Sequence, residues 1–423
     1  MVAWLTAGGG QLAEFGRVDQ KRETVALVLA GGGARGAYEA GALSVLLPAL
    51  EDAGLRPRII VGTSVGAING VYAASRAHEP ASRVTSDGEA IWRELRWEQV
   101  ARPLASPGAV ERLLLYLGEV AGVPGAEIPA LLDPAPLAET LRRRVSFERL
   151  HANVVNGHLD AAAVVGTSAL TSRSVVFHDG GQPAAHDPIR GIDYVAAALG
   201  DAHARASAAI PEIFPAVHVE LPGRAAGWYF DGGTRLNTPI KPALALGADR
   251  VVIVALNSIA PAPPRLAGED RPDALEGAAQ LIQAVLVDPL VHDVRTLAMV
   301  NELVVAAADP SGELAGKRRV PYVLVAPRER DAIGKVAMRV FRERFSDPHS
   351  ALRSPNVALL GRIVAGGRDP GHGELLSYLF FEGEFAGALI ELGREDARRW
   401  LDEEHDDGLW QVGQPAAAGA EVE

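Results

Sequence analysis

The chain has 423 residues, of which 48% are hydrophobic and 22% are charged, a composition typical of a globular protein with a sizeable core. Its formal net charge of −12 argues against nucleic-acid binding and against a general attraction to anionic membranes. The chain contains no cysteine, which excludes disulfides, thiol nucleophiles and thiolate metal sites and is compatible with a reducing compartment.

Residues 1–22 are predicted to form a flexible leader. No basic residue precedes Arg17 and the apolar piece Val2 to Ala7 is short, so the segment is unlike a signal peptide. No run of about 18 apolar residues occurs, and no transmembrane helix is expected. A cytoplasmic location is inferred from these missing signals, and peripheral membrane contact stays open.

The first predicted strand is the apolar run 25–30, which leads into the glycine-rich turn 31–36. Four leucines then recur at the spacing of one helical face, which predicts an amphipathic helix; they are Leu43, Leu46, Leu47 and Leu50.

The turn Gly31-Gly32-Gly33-Ala34-Arg35-Gly36 also fits the dinucleotide fingerprint, which requires an acidic residue about 20 residues further on. That position holds Arg56, Pro57 and Arg58 instead, and no Gly-Lys-Ser/Thr follows the glycines as a P-loop would require. The turn is therefore interpreted as an oxyanion hole, formed by the amides of Gly32 and Gly33 and by that of Ala34 or Arg35. Gly31 and Gly36 support the motif.

A second strand, 59–61, runs into Gly62-Thr63-Ser64-Val65-Gly66, and a helix of small residues follows at 67–74. Gly-x-Ser-x-Gly is the pattern of a nucleophile elbow, in which a strained turn between strand and helix exposes the serine hydroxyl. Gly62 and Gly66 keep bulk away from that turn. Ser64 is the candidate nucleophile, although a tight turn with a chance serine is the simpler alternative.

The middle of the chain contains a proline-rich insertion, 101–136, whose apolar patch 113–117 packs over the sheet edge by default; the alternative is that it forms a lid or a lipid-facing surface. Residues 161–167 and 174–177 are predicted strands, paired as a hairpin or parallel. Three helices are predicted in the same region, at 87–100, 137–145 and 194–210.

A strand at 227–230 ends in Asp231-Gly232-Gly233. An Asp-Gly turn is common and needs no function. Here, however, a nucleophile elbow and an oxyanion loop still lack a base, so Asp231 is the candidate, with Gly232 and Gly233 leaving room around it. Because an unperturbed aspartate is a poor base for serine, we expect burial to raise its pKa towards neutrality.

The remaining elements complete a catalytic domain over 23–330. They comprise a strand at 250–256, a loop at 258–274, a long helix at 278–303 and a last strand at 320–326. Residues 331–410 form a helical C-terminal region that docks on the domain by default; dimerisation and lipid contact are the alternatives. Residues 411–423 are predicted to be a disordered tail.

The three motifs, in this order, resemble those of patatin-like phospholipases of the bacterial type, and the resemblance covers about residues 25–242, including the stretch Ala206 to Pro215. It implies a three-layer α/β fold, with a mostly parallel sheet between helices. It also implies a Ser64–Asp231 dyad, the glycine loop as oxyanion hole, and action on lipid esters without metal or cofactor.

The function expected from this resemblance is a serine lipid acyl hydrolase of phospholipase A or lysophospholipase type, acting through an acyl-enzyme. Two alternatives stay open: an acyltransferase, and a membrane-associated regulatory protein with weak turnover. A Ser-His-Asp triad is disfavoured because no histidine after Asp231 follows a clear strand in a motif; these histidines are His292, His349, His372 and His405.

Overall fold

The computed structural model describes residues 23–102, 130–181, 186–260, 288–307, 313–314, 316–344 and 370–415, with isolated residues between these ranges. The predicted leader lies outside the described residues. So do most of the predicted insertion, including nearly all of its apolar patch, and most of the loop predicted at 258–274.

A nine-stranded sheet lies at the centre of the described structure, and a separate two-stranded sheet pairs Glu313–Leu314 with Lys317–Arg318. In chain order the strands are β1 (Val25–Leu29), β2 (Ile59–Thr63), β3 (Ala161–Ser168), β4 (Ser174–Gly180), β5 (Ile192–Ala196), β6 (Val217–Val219), β7 (Gly227–Asp231), β8 (Arg250–Val254), β9 (Glu313–Leu314), β10 (Lys317–Arg318) and β11 (Tyr322–Val325).

The main path of the sheet is β11-β8-β1-β2-β3-β4-β5, and the strands from β11 to β3 are parallel. β4 is antiparallel to β3, which confirms the hairpin interpretation of these two strands. β7 pairs antiparallel with the end of β3 and carries β6 on its other side.

Helices cover both faces of the sheet. They are α1 (Gly36–Asp52), α2 (Val65–Ser75), α3 (Ala81–Glu94), α4 (Ala135–Arg144), α5 (Phe147–Val155), α6 (Asp201–Ser207), α7 (Ile240–Ala245), α8 (Asp288–Ala306), α9 (Ala332–Arg344), α10 (Pro370–Leu379) and α11 (Gly383–Asp402).

The strand β1 illustrates why the fold has three layers. Val25, Leu27 and Leu29 belong to the core on one face of the sheet, whereas Ala26 and Val28 belong to the core on the other. A parallel strand with both faces buried is apolar throughout, because successive side chains point to opposite faces. The predicted fold class, a mainly parallel sheet between helices with a helical C-terminal region, is confirmed.

The predicted helix 194–210 is wrong. Residues 192–196 form β5, which pairs parallel with β4, and the helix α6 begins only at Asp201, after Gly200. The alanine-rich composition favours a helix, but the edge of β4 offers hydrogen-bond partners to the extended Tyr194 and Val195, and aromatic and β-branched residues suit a strand.

The helix predicted at 87–100 is shifted. α3 begins after Pro80, ends at Glu94 and is followed by extended Leu95.

The predicted disordered tail also needs correction at its start, because Gln411 exchanges backbone hydrogen bonds of 2.9 and 2.8 Å with Tyr322 of β11. Residues 411–415 are therefore part of the described structure, next to the sheet.

The C-terminal region docks on the rest of the structure. α11 lies along α1 so closely that a Cβ added at Gly41 would meet the Ile390 carbonyl oxygen. The Tyr38 hydroxyl donates to Asp396 Oδ2 at 2.8 Å across this contact. Among the described residues, no helix is long and apolar enough to cross a membrane.

Candidate active site

Ser64 forms the sharp corner between β2 and α2. Its φ of 54° and ψ of −124° lie outside the regions that L-residues ordinarily adopt, a strain of about 1–3 kcal/mol. A Cβ at Gly62 would meet the Gly66 carbonyl oxygen, and a Cβ at Gly66 would meet that of Leu29. Glycine at both positions therefore lets the corner close, as the elbow motif predicts.

Ser64 and Asp231 are brought together by β3. Thr63, the last residue of β2, pairs with Val165, and Asp231, the last residue of β7, pairs with Gly166. β7 thus continues along β3 at the point where β2 ends. The Ser64 hydroxyl donates to Asp231 Oδ2 at 2.6 Å, although 167 residues separate the two in sequence.

Both members of this pair are buried, with 5% of Ser64 and 3% of Asp231 exposed. Burial is the main cause that raises the pKa of Asp231 to about 7; the hydrogen bonds from Ser64 and Gly233 lower it in part. The expectation of a near-neutral pKa is confirmed. A carboxylate with such a pKa can accept a proton at neutral pH.

Backbone and side-chain contacts fix the position of this carboxylate. The Gly233 amide donates to Asp231 Oδ1 at 2.6 Å, which leaves Oδ2 for Ser64. The hydroxyls of Thr167 and Thr234 donate to the Asp231 carbonyl oxygen at 3.1 and 2.9 Å. The Gly233 bond holds the carboxylate itself, and the two threonine bonds fix the Asp231 backbone from which it projects.

Ser207 supports the elbow from α6. Its hydroxyl accepts a hydrogen bond from the Ser64 amide at 2.9 Å and donates one to the Val165 carbonyl oxygen at 2.6 Å. Sequence reasoning did not single out this residue as functional, although it lies within the stretch Ala206 to Pro215 that carries the family resemblance.

Three amides of the glycine loop have no hydrogen-bond partner among the residues that the structure describes. Among the hydrogen bonds of the described residues, none uses the amides of Gly32, Gly33 or Ala34. The Arg35 amide donates to the Gly32 carbonyl oxygen at 3.2 Å, so Arg35 is not a free oxyanion donor and that part of the prediction is wrong. The loop lies beside the elbow: a Cβ at Gly31 would be 3.0 Å from Ser64 Cβ.

Asn237 is a further polar residue beside this loop. It is buried, and within the described part of the chain neither polar atom of its side chain has a hydrogen-bond partner. Its Oδ1 would lie 2.9 Å from a Cβ at Gly233 and would also meet a Cβ at Gly31. The sequence marks it only as a turn residue before Thr238-Pro239, so its place between the two motifs could not be predicted.

A cavity of about 1170 Å³, counting the space at its open mouth, extends from Ser64 and Gly33. Its walls are mainly aliphatic and aromatic and come from α1, α2, α3 and the segment after α10; Leu47, Ile68, Val84, Trp92 and Phe381 are among the lining residues. Ser64 therefore lies beside an apolar compartment.

Neither His292 nor His405 takes part in the hydrogen bonds of the pair, and no other described histidine does. His349 and the side chain of His372 lie outside the described residues. Among the described side chains, no group of three or more His, Asp and Glu residues is arranged to hold a metal ion.

This fold and site define a three-layer α/β protein with a nucleophile elbow, a buried serine–aspartate pair and an apolar cavity. A family model for patatin-like phospholipase matches residues 27–244, just over half of the chain. The chain belongs to this family, and its broad class is therefore that of lipid hydrolases. A search of curated proteins finds no match.

Several solved structures are similar over most of the chain. VipD from Legionella pneumophila is 12% identical over 94% of this chain and 89% of its own, with a TM-score of 0.29. Human GIVD cytosolic phospholipase A2 is 13% identical over 89% of this chain, with a TM-score of 0.35, and only 63% of its own length is covered. The heterodimeric ExoU–SpcU complex of the Pseudomonas aeruginosa type III secretion system contains a chain that is 20% identical, with coverages of 92% and 73% and a TM-score of 0.26. Sequence identities and TM-scores as low as these indicate neither a substrate nor a mechanism for this chain.

Proposed function

We propose that the protein is a serine lipid acyl hydrolase of phospholipase A or lysophospholipase type. The observation that carries this proposal is the 2.6 Å hydrogen bond from the hydroxyl of Ser64, whose backbone is strained, to the buried Asp231 carboxylate. Family membership supports the general class. The dyad and the oxyanion hole are our assignments.

In the acylation step, Asp231 takes the Ser64 proton as the Ser64 oxygen attacks the carbonyl carbon of the ester. The carbonyl oxygen becomes negative and is stabilised by the amides of Gly32, Gly33 and Ala34, which have no hydrogen-bond partner within the described part of the chain. The tetrahedral intermediate then expels the alcohol, which takes the proton from Asp231. The acyl group stays on Ser64.

In the deacylation step, Asp231 removes a proton from a water molecule, which attacks the acyl-enzyme carbon. The second intermediate expels the Ser64 oxygen, which recovers the proton. The products are a fatty acid and an alcohol or lysolipid. The same carboxylate accepts a proton in both steps, so its near-neutral pKa favours both acylation and deacylation.

The apolar cavity supports a fatty-acyl substrate. Each methylene group buried against apolar walls contributes about 0.8 kcal/mol, so a long acyl chain gains much of its binding free energy there. The polar end of the substrate stays near Ser64. A lipid of this kind is most abundant in bilayers, and peripheral contact with a membrane is part of the proposal.

The experiment is release of fatty acid from mixed phospholipid vesicles and of p-nitrophenol from a short-chain ester. We expect the wild type to release both fatty acid and p-nitrophenol. We expect Ser64→Ala and Asp231→Asn to lose both activities while they remain folded. Activity that survives in Asp231→Asn would point to another base. No wild-type activity on any ester would favour the regulatory alternative, while product formed on an added alcohol or lysolipid would favour the acyltransferase.

A further inference from the structure

Arg35 is a buried cation within the glycine loop, next to its candidate oxyanion donors. It ends the turn Gly33–Arg35, and only 1% of the residue is exposed. A buried guanidinium is costly unless its charge and its N–H groups are satisfied. In this structure most of the groups that satisfy it come from α10, more than 330 residues later in the chain.

The contacts of Arg35 are short and specific. Its Nη2 donates to Glu374 Oε2 at 2.7 Å and to the Glu374 carbonyl oxygen at 2.8 Å, and its Nε donates to Ser377 Oγ at 2.7 Å. The guanidinium also lies 3.8 Å from the centre of the Tyr378 ring. Nη1 donates to Asn257 Oδ1 at 3.1 Å.

Glu374 is itself held in place. Its second oxygen, Oε1, accepts the Gly334 amide at 2.9 Å at the start of α9. The Ser377 hydroxyl donates to the Glu374 carbonyl oxygen at 2.6 Å. The C-terminal region thus holds the Glu374 carboxylate in a fixed position beside Arg35.

The same segment touches the loop and the cavity. Gly33 has a φ of 60°, and a Cβ there would meet the Tyr378 carbonyl oxygen, so the end of α10 lies directly on the loop. Tyr378, Leu379 and Phe381 all line the apolar cavity. Tyr378, Leu379 and Phe381 lie outside the part of the chain that the family model matches.

We propose that residues 374–381 complete the active site as a positioning element. The Arg35–Glu374 pair and the Tyr378 backbone hold the amides of Gly32, Gly33 and Ala34 in place for the oxyanion, and Leu379 and Phe381 close the acyl cavity. Arg35 and Glu374 are positioning residues that act through the loop. This inference rests on the proposed Ser64 hydrolysis, and it implies that residues 27–244 are not sufficient for activity.

The test compares Glu374→Gln and the milder Ser377→Ala with Glu89→Gln in the full-length chain. Glu89 is a matched control, since it is buried and its carboxylate accepts hydrogen bonds from Arg394 of α11 and from Arg93, each at 2.9 Å, and not from Arg35. Hydrolysis of a short-chain ester gives kcat and KM, and hydrogen exchange of peptides covering residues 31–36 reports on the loop directly.

We expect Glu374→Gln to lower kcat by about tenfold or more while KM changes less than about twofold, because misplaced amides weaken transition-state rather than ground-state binding. Ser377→Ala should show a smaller loss. Exchange of the loop should accelerate in both variants and stay unchanged in Glu89→Gln.

Wild-type kcat together with wild-type loop exchange in Glu374→Gln would overturn the proposal. So would an equal loss of kcat in Glu89→Gln, because the effect would then be general destabilisation. If wild type and Ser64→Ala hydrolyse the ester equally, the proposed function fails, and the exchange measurement still decides whether α10 holds the loop.

Discussion

The Ser207 hydroxyl accepts a 2.9 Å hydrogen bond from the backbone amide of Ser64 and so connects α6 to the nucleophile elbow. The same hydroxyl donates to the Val165 carbonyl oxygen in β3, the strand that aligns Ser64 with Asp231. One buried side chain therefore satisfies two backbone groups at the corner where the backbone is strained.

Ser207→Ala is expected to lower the free energy of unfolding by about 1–3 kcal/mol, because the Ser64 amide loses its partner in a buried site. It should also lower kcat by relaxing the elbow. Urea unfolding and ester hydrolysis measure the two effects. Ser75→Ala is the matched control: Ser75 is also buried, but its hydroxyl bonds within α2, to the Tyr72 carbonyl oxygen at 2.8 Å. Equal effects of the two substitutions on kcat would contradict the prediction.

The pH dependence of hydrolysis should follow the ionisation of Asp231. Burial raises its pKa to about 7, and only the ionised form can accept a proton. For a neutral ester, kcat/KM should fall about tenfold for each pH unit below 7 and level off above it. A profile that is flat from about pH 5 to 8 would exclude Asp231 as the base.

The same pKa predicts a stability effect. The unfolded chain ionises Asp231 near pH 3.9, whereas the folded chain keeps the proton until about pH 7. The stability that protonated Asp231 contributes is therefore complete below pH 4 and is lost as pH rises to 7.

Asp231→Asn has no proton to lose. Relative to wild type, its free energy of unfolding should increase between pH 4 and 7, by a total on the order of 4 kcal/mol, and stay level above pH 7. Denaturant unfolding of both proteins at several pH values measures this difference. A difference independent of pH would show that the folded and unfolded pKa values are similar.

Filling the cavity should change chain-length preference. Ile68 lines the cavity one helical turn after Ser64, so Ile68→Trp removes space for an acyl chain. Hydrolysis of a long-chain ester should fall at least about tenfold more than that of a short-chain ester, since each displaced methylene forfeits about 0.8 kcal/mol. Competition between the two esters in one reaction gives the ratio. An unchanged ratio would mean that the chain lies elsewhere.

The local part of the site could be predicted from the sequence. The elbow depends on glycines two residues before and after Ser64, and the turn that we propose as the oxyanion hole depends on consecutive glycines after a strand. Such requirements act within a few residues and leave a pattern. Asp231 needed more, because an Asp-Gly turn alone has no functional meaning; the two preceding motifs and the family resemblance indicated it.

The long-range part could not be predicted. The helix α10 meets Arg35 only after the chain has folded, and nothing in the motif around Arg35 indicates a partner at Glu374. The same holds for the Asn237 amide beside Gly31. The wrong prediction of a helix at 194–210 has a related cause. Residues 192–196 pair with the edge of β4 as a strand, although the alanine-rich local composition favours a helix.

The central claim is that Asp231 activates Ser64 as a nucleophile, and covalent labelling tests it most directly. Wild type, Ser64→Ala and Asp231→Asn are treated with a long-chain alkyl fluorophosphonate, and the adduct is followed by intact mass and located by peptide mapping. We predict one adduct on Ser64 in wild type, none in Ser64→Ala, and labelling slowed at least about tenfold in Asp231→Asn. Labelling of Ser64→Ala at the wild-type rate, or of Asp231→Asn without any loss of rate, would contradict the account.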